Sequence, residues 1–159
     1  MSKLFKLKEW LNLEDTAKHL TTVLGEDVAI ADIYRLALDG HLVLSMYFPN
    51  QAEGNLGEVV GLDRAERMPE ELALLLHSVS PGDNLTPPAI IISPCIGDGQ
   101  FINWQNNVIF IDGVWDLPML AGEKLDVEHE FLQLSGGPSM ECINIDGAFL
   151  RQGDVFARI

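Results

Sequence analysis

Apolar side chains recur at Leu13, Ala17, Leu20 and Leu24, spacings of four, three and four that place them on one helical face. Asn12 stands where an N-cap would, with Asp15 three residues on as an imperfect capping-box partner, and Gly25 stops the helix. A second helical pattern runs from about Ile30 to Asp39, with Ile33, Leu36 and Ala37 inward and Gly40 placed as the residue after its cap. The stretch His41–Phe48 is rich in apolar and aromatic residues and predicts a strand, closed by Pro49-Asn50. Residues 51–67 carry three glycines and mixed charge, which predicts a loop with a short strand at Glu58–Gly61.

Pro69 opens a further helix, with Glu70 and Glu71 at its positive end and Leu72, Leu75, Leu76 and Val79 along one side. The breaker run Ser80–Pro88 then separates a helical part from a β-rich part. Beyond it Ala89–Ser93, Phe101–Trp104, Val108–Ile111 and Met140–Ile145 read as short strands. Val108–Ile111 is apolar on both faces, as in the middle of a sheet. Gln105–Asn107 and Ser135–Pro138 are expected to turn hairpins. Asp112-Gly113 and Asp146-Gly147 each follow a strand and supply turn signals that tolerate positive φ. Lys124–Phe131 alternates Leu125, Val127, His129 and Phe131 against Asp126, Glu128 and Glu130, which favours a half-buried strand over a helix.

These patterns give an α+β fold with three parts. Residues 1–50 form a helical unit with a trailing strand. Residues 51–88 form a linker holding one helix at about 69–79, and residues 89–159 form a β-rich antiparallel meander. At 159 residues and 47% hydrophobic, the chain can bury a real core.

Charge narrows the functional classes. Ten basic against twenty-four acidic residues leave a net charge of −14, and the pI is near 4.4. A molecule so acidic repels phosphates and anionic lipid at long range. The start, Met1–Lys6, leads into no apolar signal core, no run is long enough for a membrane span, and the two cysteines, Cys95 and Cys142, cannot form a CxxC pair. A cytoplasmic, reducing context is the expectation, with both thiols buried.

Trp10, Leu11, Glu14, Ala17 and Leu20, then Tyr34, Arg35, Gly40 and Leu42, and then a strand, resemble the excisionase and MerR-like helix-turn-helix module. The resemblance covers residues 10–48 and implies a DNA-binding regulatory protein. Its second helix would enter the groove, Arg35, Tyr34 and Lys18 would be the contacts, and the strand would be a wing. Two features depart from the family. The link from Thr21 to Ala31 is longer than a tight turn. The module also sets Lys18 and Arg35 against Glu14, Asp15, Glu26, Asp27, Asp32 and Asp39, few cations for neutralising a duplex. Lys3, Lys6 and Lys8 add a basic arm.

The chain carries few motifs of known chemistry. There is no GxGxxG, GxxxxGK or GxSxG, and His129-Glu130 lacks the second His of a zinc helix. Asn144–Gly147 imitates a calcium loop, but Cys142 and Gly153 stand where carboxylates are needed. Asp126, Glu128 and Glu130 form the tight carboxylate cluster. On one strand face they would lie roughly 6.5–7 Å apart, and the wet side of an amphipathic strand accounts for them better than acid–base catalysis or a cation site. Phe101, Trp104, Phe110 and Trp115 read as sheet-core aromatics, because the basic groove of a single-strand binder is missing beside them. Trp115–Leu120 reads as an exposed apolar stretch fit for self-association or partner contact, or for covering one end of the β core.

The sequence therefore predicts a non-enzymatic regulatory or accessory protein with no cofactor and no metal. DNA or a basic protein is the expected partner, and a homodimer is expected if DNA is bound. The first alternative is an acidic interaction module, DNA-mimicking or otherwise. The second is an enzyme using Asp126, Glu128 or Glu130.

Overall fold

The computed structural model describes residues 8–76, 89–138 and 147–159. Its elements follow the order α1 (Leu13–Leu24), α2 (Ile30–Leu38), β1 (Ser45–Gly61), α3 (Glu70–Leu76), β2 (Cys95–Gly97), β3 (Gln100–Asp116), α4 (Gly122–Ser135), β4 (Phe149–Gln152) and β5 (Val155–Arg158). The fold is α+β, a helical N-terminal part followed by a strand-rich region. The strands pair in the order β1-β5-β4-β3-β2, and β1 also pairs with β3. The β1–β5 and β2–β3 ladders are antiparallel.

Local chemistry sets the helix ends. The Asn12 side chain accepts from the Asp15 N–H at 2.7 Å, and Gly25, at φ 73°, donates back to the Thr21 carbonyl. The link between α1 and α2 is thus only residues 25–29, shorter than the Thr21–Ala31 expected, because α1 keeps its helical turn through Leu24. The Val28 N–H donates to Thr21 Oγ1 at 3.0 Å and ties that link to α1. At the start of α2 the Asp32 carboxylate accepts from the Ala29 N–H, and at its end His41 N–H donates to the Leu36 carbonyl across Gly40.

Contacts divide the chain into two compact units. One comprises Met1–Tyr47 and Val114–Leu150, the other Phe48–Gly113 and Arg151–Ile159. In the first, Ala17, Ile33, Ala37, Trp115, Val127, Phe149 and Leu150 are buried, and α2 packs against both α1 and α4. In the second, Val60, Ala65, Ala73, Ile102, Ile111, Phe156 and Ala157 are buried. A polar knot pins the loop after β1 in this unit. Ser93 Oγ donates to Asn103 Oδ1 at 2.6 Å and accepts from the Glu66 N–H, while Asn103 Nδ2 donates to the Arg64 carbonyl.

Several sequence expectations are overturned. The strand at His41–Phe48 begins only at Ser45, and it continues through Pro49-Asn50 across the supposed loop to Gly61. Ladder partners override the local breaker signals, and Pro49 is exposed there. Phe101–Trp104 and Val108–Ile111 are one strand, so Gln105–Asn107 does not turn. Instead the buried parity changes across that stretch: Ile102 faces inward on one side of it and Ile111 on the other. Val108 and Phe110 are 63% and 64% exposed, unlike a mid-sheet strand. Gly113 does take positive φ, at 76°, yet β3 runs on through it. Ala89–Ser93 contributes only an isolated bridge, Ile91 to Arg67. Trp115 is buried rather than exposed, and Leu117–Met119 are half-buried. Cys95 is exposed, not buried. Cys142, Val79, Ser80–Pro88, Met140–Ile145, Asn144 and Asp146 lie outside the described residues.

The clearest correction is α4. Lys124–Phe131 is helical, because Val127 and Phe131 are four residues apart as well as alternate, and Glu123 anchors the helix start. Met119, at φ 58°, holds a conformation that side chains rarely adopt just before that anchor.

Candidate partner-binding surface

Buried Ile33 and Ala37 turn one side of α2 inward, which leaves Asp32, Arg35 and Asp39 as its exposed stripe, at spacings of three and four. Arg35, the predicted DNA contact, does face solvent, with its side chain 58% exposed. Its charge is already engaged. Arg35 Nε donates to Asp39 Oδ2 at 2.9 Å, and the guanidinium carbon lies 5.9 Å from the centre of the Phe131 ring. Such an exposed pair adds little stability. Asp39 and the Phe131 ring thus both neighbour the guanidinium, and Asp32 leaves the stripe with a net negative charge.

Tyr34 is half-buried. Burial pushes its phenol above the ordinary value, and the Glu130 carboxylate adds to the shift. Lys18 is exposed on α1, where it lines a groove of about 530 Å³ with Glu14, Thr21, Val28 and Ile30. Neither Arg35 nor Tyr34 lines that groove.

The carboxylate cluster is rearranged by the helix. Asp126 and Glu130, one turn apart, are exposed on α4, whereas Glu128 points elsewhere and is half-buried. The even row expected of a strand face does not exist. His129, expected among Leu125, Val127 and Phe131 on a strand, stands on the helix with Gln133 Nε2 2.6 Å from its Nε2. Among the described residues, no group of three or more His, Cys, Asp or Glu side chains could hold a metal ion.

One important residue escaped the sequence reading. Glu123 is 2% exposed, and its carboxylate accepts three backbone N–H groups: Leu120 at 2.7 Å, Ala121 at 3.1 Å and Phe149 at 2.9 Å. An acid in the first turn of a helix signals dipole complementation. That signal gives no hint of Phe149, which joins from a distant strand, and the role is structural.

No protein-family model, curated protein or solved structure matches the chain. Among the described residues no helix is long and apolar enough to cross a membrane.

Proposed function

We propose that the protein is a non-enzymatic interaction module whose α1–α2 pair, similar in sequence to a helix-turn-helix, serves protein contact, and that its partner is basic. The observation that carries this reading is the outward stripe of α2, where the one cation is paired and two aspartates flank it. Exposed Asp126 and Glu130 on α4 extend the acidic character beside it. A duplex reader neutralises several phosphates with lysines and arginines, which supply a large share of its affinity. An acidic edge instead speeds encounter with a basic protein and rejects acidic ones. The cytoplasm is the compartment that the sequence best fits.

Duplex binding is the second reading. The exposure of Arg35 favours it, and paired half-sites would then require a dimer. The two readings separate when the full chain is titrated at low salt with a random-sequence duplex and, separately, with a lysine- and arginine-rich peptide. Binding of the peptide alone, weakening as salt rises, is the expected result. Retention of the duplex, lost in Arg35→Ala, would select the second reading.

A further inference from the structure

Away from the α2 stripe, the first unit carries an open groove of about 690 Å³ between the segment that enters α1 and the start of β1. Trp10 and Tyr47 line it, 54% and 56% exposed, with ring centres 5.8 Å apart and planes 28° from parallel. Val43, 67% exposed, and Val114 continue the apolar wall. Among the described residues, these two large stacked aromatic side chains leave more than half of their surface open to solvent. The charge around them is acidic. Glu9 and Asp116 line the same groove, Asp116 accepting from Ser45 Oγ at 2.7 Å. Lys8 also lines it, with its ammonium 2.6 Å from Asp15 Oδ2, a bond that holds the Asp15 carboxyl below its ordinary value.

We infer that this groove docks an arginine-bearing segment of a basic partner protein. The guanidinium would lie on the Trp10–Tyr47 stack, and its charge would be met by Glu9 and Asp116. This rests on the basic-partner reading above and adds an anchor to it, the acidic α2 stripe supplying long-range attraction and the aromatic pair the short-range hold. Arginine fits better than lysine because its planar, weakly hydrated guanidinium stacks on aromatic faces. A nucleic-acid base would stack as well, but its phosphates would meet carboxylates.

The test uses the full chain and a short fluorescein-labelled peptide of alternating arginine and alanine, beside the same peptide with citrulline for arginine. Citrulline keeps the shape and removes the charge. Trp10→Ala and Tyr47→Ala are each expected to weaken arginine-peptide binding about fivefold or more, Tyr47→Phe is expected to retain it, and the citrulline peptide is expected not to bind. Undiminished binding in Trp10→Ala and Tyr47→Ala, together with loss in Asp32→Asn/Asp39→Asn, would overturn the groove and leave the basic-partner reading standing. Equal binding of the citrulline peptide, or self-association of the wild type that Trp10→Ala abolishes, would overturn it in favour of an apolar occupant or a second copy of the chain. Failure of the wild type to bind the arginine peptide at all would remove both readings. Thermal melting checks each variant's fold, and the Tyr47→Phe and Tyr47→Ala pair keeps the test decisive if Trp10→Ala melts early.

Discussion

Burial keeps the Tyr34 phenol neutral to higher pH than the same group in an unfolded chain, and Glu130 reinforces it. Its contribution to stability is therefore complete below the ordinary tyrosine range and is lost as pH rises through the raised value. Urea denaturation followed into the alkaline range should show a fall in stability above about pH 10 that Tyr34→Phe reduces. An identical alkaline fall in the variant would contradict this assignment. Glu123 makes a larger demand. Removing its carboxylate in Glu123→Ala leaves three backbone N–H groups without their acceptor, that of Phe149 buried and those of Leu120 and Ala121 part-buried, a loss of about 3 kcal/mol. Glu123→Gln keeps an acceptor for only part of that set and should fall between the wild type and alanine in the same denaturation series. If Glu123→Ala unfolded at the wild-type midpoint, the anchor would be dispensable.

At the level of the element, β1 is shaped by two glycines that permit close approach. A Cβ on Gly57 would collide with Ile102 and Trp104, and one on Gly54 would stand 2.5 Å from Ile111 Cδ1 and 2.7 Å from the Arg158 carbonyl. Gly61 differs, since its Cβ would meet only the Asp63 carboxylate, the end of a flexible side chain. Gly57→Ala and Gly54→Ala should each cost about 1–3 kcal/mol, with Gly61→Ala well below either. Equal effects at all three positions would show that the contacts around Gly54 and Gly57 give way. The helices α1 and α2 were legible in the sequence because their stops are local: Asn12, Gly25 and Gly40 act within one turn. The strands were not, because Pro49, Asn50 and Gln105–Asn107 look like breaks until ladder partners from far along the chain hold them extended. For α4, alternation over eight residues also satisfies a four-residue spacing, and the deciding anchor, Glu123, binds a residue twenty-six positions on. The exposure of Arg35 and its pairing with Asp39 follow from helical spacing. Phe131 and Glu130, which complete its surroundings and those of Tyr34, come from α4, the very segment that alternation disguised.

For the whole molecule, a net charge of −14 sets which encounters succeed before any side chain makes contact. Free cations gathered on α2 would have countered it locally, but Arg35, the one basic residue of α2, is bound to Asp39, and Lys18 is on α1. The acidic balance thus extends to the one surface that the helix-turn-helix likeness would assign to DNA. Backbone amide shifts recorded at low ionic strength, first with an arginine-rich peptide and then with a duplex, test this most directly. The peptide should move resonances of Asp32–Asp39 and of the exposed turn around Asp126 and Glu130, and the duplex should move none. Shifts along Asp32–Asp39 from the duplex, with the peptide leaving that helix unmoved, would contradict the account.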